Sequence, residues 1–389
     1  MSRLVKFVLV VFGAVVLLSA VPAIAHVRPA GGFLPDGDER PQIHSAVLLG
    51  PKAHNNLLEA DLVIDASDND AIKRFEYRWN SATFGSTHST SVLDPTVDYS
   101  STRPDTRYGL QIRAIDFHNN ASDWFPVWDG VTPGVPTIVV AGDSIASGYT
   151  KRWFVSGGTC RDDAYSYGSA LVNQVNGTLP AQWEAVYVNI AWAGAGVGNM
   201  LSGGTDSCGA RHSAQVGQIL DLVDNSTWNV VVITAGINST NWTDVVVGLT
   251  RDTAFSFTEA GDRAACDLAV SEKWNIRRKR GAITNSTREI TRTLLDTTNA
   301  RVIWTSYYDI TGSQIAPQWT PVGSECSQYM AEALAELHGA LQSGLDPRAD
   351  WVDIDWNVAT QTWAGWPHPN AAGQQSIGLI VAAEVTRSR

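Results

Sequence analysis

Positive charge is in short supply in this 389-residue chain: Lys and Arg number 28 against 39 acidic residues, a formal net charge of −11. That balance leaves no electrostatic footprint for nucleic acid, and none for an anionic membrane surface. Charge of either sign is sparse at 17%, but 44% of residues are hydrophobic, which excludes a disordered chain and gives an ordinary globular composition. Only four cysteines occur: Cys160, Cys208, Cys266 and Cys326. No two are close and no histidine lies at ligand spacing, so a cysteine-based metal site is not expected. Beyond residue 25 the chain has no long apolar run, which excludes a later span of the ~18–20 residues that crossing a membrane requires.

What is present begins at the N-terminus. Arg3 and Lys6 precede an uncharged, mostly apolar stretch from Phe7 to Ala25 that ends Ala23-Ile24-Ala25. A positive end, an apolar run and an Ala-x-Ala site make residues 1–25 an export signal cleaved before His26. Gly13, Ser19 and Pro22 favour removal over a retained anchor. The expected product is a secreted protein, more acidic still, with 26 basic residues against 39 acidic. Export and an even number of widely spaced cysteines point to two disulfides. Of the three pairings, the sequential one (Cys160 with Cys208, Cys266 with Cys326) is preferred, because each bond would staple one long loop region. Fifteen tryptophans are many. Partly exposed ones suit flat apolar or sugar-like ligands, and core packing accounts for most. The one basic cluster, Arg277-Arg278-Lys279-Arg280, reads as a solvated loop.

After a flexible Gly/Pro-bearing stretch, Arg28 to Pro41, the pattern becomes short alternating runs. Leu58, Ala60, Leu62 and Ile64 would share one face of a strand, with Glu59, Asp61, Val63 and Asp65 on the other. Phe75 to Trp79 alternates too, and so does most of Tyr108 to Asp116. Helical periodicity is lacking here, so residues 40–130 are expected to form a small all-β sandwich. The run Tyr108 to Trp124 (YGLQIRAIDFHNNASDW) resembles the last hairpin of a fibronectin type III or related immunoglobulin-like module, with Asn119 where that family usually has the turn glycine. The resemblance implies a spacer, or a weak binding module that contacts a polymer or cell surface. A linker over residues 131–136 follows, with Asp129 and Gly130 leading into it.

From residue 137 to 389, apolar runs alternate with longer helical stretches. Strands are expected at Thr137–Ala141, Ala185–Ile190, Val230–Thr234, Arg301–Ser306 and Trp351–Ile354. Helices are expected at Ala164–Val175, Gln215–Val223, Thr284–Asp296 and Gln328–Leu341. In the last of these Met330, Leu334, Leu337 and Leu341 share a face, and Ser286 stands three residues before Glu289, a capping-box spacing. This alternation predicts a parallel sheet with helices on both faces. Gly142-Asp143-Ser144 follows the first strand, Asn189 to Gly196 the second, and Thr234 to Ser239 the third. His368-Pro369-Asn370-Ala371-Ala372-Gly373 stands beyond the last. Active sites of open α/β sheets gather at that carboxyl edge. Read alone, Ser144 is either a nucleophile or a helix cap.

These four segments, in this order, resemble the blocks of the SGNH (GDSL-type) hydrolase family, across essentially all of residues 137–389. The resemblance implies a flavodoxin-like three-layer α/β domain and a serine esterase or lipase that works through an acyl-enzyme with no metal or organic cofactor. Ser144 matches the family's nucleophile and His368 its base. The backbone N–H groups of Ser144 and Gly194 and the side-chain amide of Asn238 match the oxyanion donors. The substrate implied is a small ester, a lipid or an acetylated glycan. The alternatives are a polysaccharide deacetylase of the same family and a catalytically degenerate binding protein. Two departures stand out. The family's D-x-x-H reads Gly365-Trp366-Pro367-His368 here, so the carbonyl at or near Gly365 is the expected orienter of the histidine, with Asp353 and Asp355 as possible replacements. Ser239 stands where Asp is usual, which removes a supporting residue. His212 and His338 compete for the role of base; His338 is expected on a helix surface and His212 in a loop.

Overall fold

Period-two alternation sets the strand faces of the N-terminal part of the chain. The computed structural model describes residues 26–29, 39–49, 58–68, 71–83, 85–91, 96–151, 158–223, 225, 227–240, 259–308, 324–354 and 368–387. The chain divides into two units between Pro133 and Gly134. The first contains β1 (His26–Pro29), β2 (Gln42–Leu48), β3 (Glu59–Asp68), β4 (Ile72–Ser81), β5 (Gly85–Ser91), β6 (Thr96–Asp98), β7 (Arg107–Asp116) and β8 (Phe125–Val131). Ala60, Leu62 and Ile64 of β3, and Leu58 just before it, are buried while Val63 is exposed, as the alternation requires. One sheet runs β1-β3-β2 with β6 on β3, and the other β5-β4-β7-β8. The second is antiparallel throughout, whereas β1 lies parallel to β3. Trp79 is fully buried against the rings of Tyr99, Tyr108 and Trp128, and its indole N–H donates to the Asp98 carbonyl at 3.0 Å. Asn119 takes the left-handed conformation at φ 68°, which Asn tolerates better than most side chains. Asp129, Gly130 and Val131, expected to lead into and begin a linker, instead pair with Gly109, Tyr108 and Arg107 in the sheet. The expected export signal, residues 1–25, lies outside the described residues.

The second unit contains β9 (Thr137–Gly142), α1 (Tyr167–Asn176), β10 (Val186–Asn189), α2 (Val197–Ser202), β11 (Gly204–Thr205), β12 (Arg211–His212), α3 (Gln215–Leu222), β13 (Asn229–Thr234), α4 (Glu259–Thr297), β14 (Arg301–Thr305), α5 (Ser324–Gly344), β15 (Asp350–Val352) and α6 (Ala371–Val385). Its main sheet has the order β10-β9-β13-β14-β15 and is parallel throughout. Counted within the sheet this is 2-1-3-4-5, the flavodoxin-like doubly wound order. Every residue of β13 is buried, because helices cover both faces of such a sheet. Right-handed crossovers put α1 on one face and α4 and α5 on the other; α1 packs against α6, and α4 against α5. Leu334, Leu337 and Leu341 are buried along one side of α5.

Helix α4 corrects two expectations. It begins at Glu259, well before Thr284, because residues 259–283 contain good helix formers and no proline to stop them. Ser286 and Glu289 therefore lie inside the helix and cap nothing. The basic cluster lies on this helix too, not in a loop. Arg277 donates to Glu336 of α5 at 2.7 Å. A disulfide joins Cys160, in the loop after β9, to Cys208 between β11 and β12, over a separation of 48 residues. Closing a loop of that length restricts the unfolded chain by about 4 kcal/mol in the loop-entropy account. The side chains of Cys266 and Cys326 lie outside the described residues. Among the described residues no helix is long and apolar enough to cross a membrane.

Candidate active site

Strand β9 ends on a glycine for a steric reason. Gly142 has φ +125°, and a Cβ there would lie 1.9 Å from the Thr234 carbonyl oxygen at the end of β13. Gln215 of α3 clasps that residue from both sides: its Oε1 accepts from Gly142 N–H at 2.6 Å and its Nε2 donates to the Gly142 carbonyl at 2.8 Å. The following loop is tied by its carbonyls. Ile145 O accepts from Gln374 Nε2 of α6 at 3.2 Å. Ala146 O accepts from the Ser166 hydroxyl at 2.6 Å and from Asn189 Nδ2 at 3.3 Å. Ser144 O accepts from Tyr149 N–H at 3.1 Å. Ser144 itself is half-buried, and its Oγ lies 2.8 Å from His368 Nε2.

His368 stands two residues before Asn370, which caps α6 by accepting from Gly373 N–H at 3.0 Å. The ring of Tyr149 packs 4.9 Å from the imidazole. The Nδ1 atom is buried, and burial pushes the His368 pKa down to about 4. The imidazole is therefore neutral at neutral pH, the form that accepts a proton. Gly365, expected to orient this ring through its carbonyl, and Asp355 lie outside the described residues. Asp353 accepts from the Trp351 indole N–H at 2.7 Å, a local turn contact.

The loops bearing Gly194 and Asn238 meet. Asn238 Nδ2 donates to the Ala195 carbonyl at 3.2 Å, and the Ser239 hydroxyl accepts from Val197 N–H at 2.9 Å. Ser239 thus supplies support of its own where a supporting residue was expected to be lost. The Gly194 loop is held from its other side by the β11–β12 hairpin, with Ser207 N–H donating to Ala193 O at 3.0 Å. His212 belongs to that hairpin. It lies 2.9 Å from Asp206 Oδ2 and stacks on Trp192 with ring centroids 5.2 Å apart. His338 is half-buried, not a surface residue, and its Nε2 accepts from Tyr307 N–H at 3.1 Å. Neither is the histidine on Ser144.

Reasoning from sequence missed the buried partners of Asp143. This carboxylate is fully buried; Oδ1 accepts from Ile145 N–H at 3.0 Å and Oδ2 from the Tyr307 hydroxyl at 2.5 Å. Desolvation raises its pKa from 3.8 to about 7, against those hydrogen bonds. Tyr307 stands two residues beyond the end of β14, so the same carboxyl-edge rule that singled out the other loops could have found it.

A parallel 2-1-3-4-5 sheet with a serine–histidine contact at its carboxyl edge defines the class of this unit. The family model for GDSL-like lipase/acylhydrolase matches residues 138–381, and the chain belongs to that family. No curated protein matches it in sequence. Among solved structures, the extracellular lipase from Streptomyces rimosus is similar at 15% identity and a TM-score of 0.45, covering 65% of this chain and 100% of that one. The aryl esterase from M. smegmatis is similar at 13% and 0.36, covering 66% and 100%. The carbohydrate acetylesterase Est24 from Sinorhizobium meliloti is similar at 12% and 0.35, covering 64% and 98%.

The buried carboxyl has a consequence for stability. Below pH 3.8 Asp143 is protonated in both folded and unfolded chains; as pH rises toward about 7 the unfolded chain ionises first. Native stability is lost through that window by linkage and levels off above it. Asp143→Asn has no such window. Its stability relative to the wild type is expected to rise by on the order of a few kcal/mol between pH 4 and pH 7. Denaturant unfolding of both proteins across that range checks this, and a pH-independent difference contradicts it.

Proposed function

We propose that the chain is an exported serine hydrolase that cleaves carboxylic esters. The 2.8 Å contact between Ser144 Oγ and His368 Nε2 carries this reading. A serine hydroxyl is a weak nucleophile until a neighbouring base takes its proton, and a neutral imidazole at hydrogen-bond distance is such a base. His368 receives the Ser144 proton as Oγ attacks the ester carbonyl carbon. The carbonyl oxygen becomes an oxyanion, held by the backbone N–H groups of Ser144 and Gly194 and the side-chain amide of Asn238. Each such donor is worth about 3–4 kcal/mol in the transition state. Collapse expels the alcohol, which leaves with the proton from His368, and Ser144 remains acylated. Water, deprotonated by His368, attacks the acyl-enzyme; the acyl–Oγ bond breaks, His368 returns the proton to Ser144 Oγ, and the acid is released. The carbonyl at or near Gly365 is the proposed orienter of the imidazole. The Cys160–Cys208 disulfide supports export to an oxidising compartment.

The N-terminal unit is proposed to be a fibronectin-type spacer. The guanidiniums of Arg78 and Arg113 lie over the Trp124 ring at 4.3 and 4.6 Å, which supports a structural use of that tryptophan over an open platform for sugars.

Ser144→Ala is expected to abolish hydrolysis of p-nitrophenyl acetate and butyrate and to block labelling by a fluorophosphonate; undiminished turnover overturns the assignment. An unlabelled wild-type chain would instead be a degenerate binding relative. Relative rates on acetyl, octanoyl and palmitoyl esters and on acetylated glycans assign the substrate. Because the base must be neutral, activity present at neutral pH is lost as pH falls through the His368 pKa. The acid limb of kcat/KM is expected well below 6.5, toward about 4, and a limb at or above 6.5 contradicts the burial of the imidazole. Removing residues 1–133 is expected to leave kcat/KM on small esters within about twofold, as for a change that touches no transition-state contact; a large loss overturns the spacer reading.

A further inference from the structure

The residues immediately before Ser144 and Asn238 are both bonded to one side chain. Tyr307 is buried; its hydroxyl donates to Asp143 Oδ2 at 2.5 Å and accepts from Ile237 N–H at 3.1 Å. The direction of both bonds is fixed. An amide N–H only donates, so the phenol oxygen must accept from Ile237 and its single proton must point at the carboxylate. Burial and the nearby Asp143 charge hold the Tyr307 pKa well above its ordinary value, so that proton stays in place across neutral pH. The ring is held in turn, since Tyr307 N–H donates to His338 of α5 and the two rings stack at 6.5 Å. Ile237 opens the short 3₁₀ turn Ile237–Ser239 that carries Asn238, and Asp143 Oδ1 already fixes the Ile145 backbone beyond Ser144.

We infer that Tyr307 is a positioning residue: its hydroxyl sets the spacing between the loop that carries Ser144 and the turn that carries the Asn238 amide. The inference rests on the serine-hydrolase reading above. It assigns Tyr307 no contact with substrate. The hydroxyl acts by holding Asn238 at the distance from Ser144 Oγ at which the oxyanion forms, a demand felt in the transition state and little in the ground state.

Tyr307→Phe keeps the ring and deletes the hydroxyl, leaving Ile237 N–H and Asp143 Oδ2 without that partner. The variant is expected to fold, by circular dichroism, and to lose kcat by roughly a hundredfold, the scale of a misplacement of about an ångström. KM is expected to stay within about threefold, since the lost interaction operates mainly in the transition state. The rate of fluorophosphonate labelling should fall with kcat. In an Asn238→Ala background the same change should cost only a few-fold, because the donor it positions is gone. A loss of packing alone would instead act equally in both backgrounds. If Tyr307→Phe does not fold, Asp143→Ala cuts the same link from its other end and also frees Ile145 N–H; its kcat loss is expected to be smaller in the Asn238→Ala background than in the wild type, and an equal loss in both overturns the inference. A folded variant with kcat within about twofold of wild type, or a loss that is fully additive with Asn238→Ala, overturns the inference alone. A wild-type chain that no fluorophosphonate labels overturns the serine-hydrolase reading, and this inference with it.

Discussion

The close approach of β9 and β13 at their carboxyl ends governs the geometry of everything above them. Their register pairs Thr234 with Gly142, so the strands that lead to Ser144 and to Asn238 end level with each other. With no Cβ at 142, Asp143 N–H reaches the Thr234 carbonyl at 2.9 Å, and the chain turns away from the sheet at once. Such a turn buries the polar groups of Gly142, and only its carbonyl has a backbone partner there, Trp192 N–H at 3.2 Å. An unsatisfied buried amide costs about 1–3 kcal/mol. Gln215, itself fully buried, answers both groups with one side chain. The requirement at 142 is therefore threefold: positive φ, no side chain, and a carboxamide delivered from α3.

Beneath this turn the interior is polar but almost uncharged. The Tyr167 hydroxyl lies 2.9 Å from Thr234 Oγ1, which lies 2.7 Å from Thr305 Oγ1; the chain of hydroxyls crosses from α1 through β13 to β14. Asp143 is the ionisable carboxyl against it, and its charge helps to raise the Tyr167 and Tyr307 pKa values. Neutral hydroxyls satisfy one another without the desolvation penalty of buried ions. A single carboxylate above them is then met by oriented donors from the Ile145 backbone and Tyr307. Buried networks of this kind are rigid when fully satisfied, which suits loops whose side chains must keep fixed distances.

Legibility in the sequence followed how local each signal was. The five parallel strands were readable because each is a short apolar run ending in turn residues, and β3 because its inward and outward positions alternate. The segments that carry Ser144, Gly194, Asn238 and His368 stand just after such runs or in a recognisable block, a property of neighbours in sequence, and the fold brings Ser144 and His368 to 2.8 Å. Helix α4 was half missed, since a capping-box spacing at Ser286 and Glu289 suggested a start where nothing breaks the helix upstream. Gln215, Gln374, Tyr307 and Asn189 were missed as supports for a different reason. Each acts on a segment tens to hundreds of residues away, and no local pattern separates a glutamine that clasps Gly142 from one on a surface. Ser239 shows the limit of reading by resemblance: its departure from the usual Asp suggested a lost support, yet its hydroxyl satisfies an amide at the start of α2.

The position of His368 follows from packing along α6, the helix that begins three residues after it. Gly378 sits where α6 crosses α1, and a Cβ there would come within 2.6 Å of the Tyr167 carbonyl and 2.7 Å of the Ala170 Cβ. That contact fixes how near α6 lies to α1. One turn earlier, Gln374 accepts from Tyr167 N–H at 2.8 Å and donates to Ile145 O at 3.2 Å, tying the same helix to the loop of Ser144. Asn370 caps the first turn, and Pro369 O accepts from the Tyr165 hydroxyl at 3.3 Å. His368 is thus placed by four successive anchors on the side away from position 365. An aspartate three residues before the histidine would orient its ring, but it is not needed to bring Nε2 to Ser144. The serine–histidine contact stands at 2.8 Å with glycine, not aspartate, at position 365.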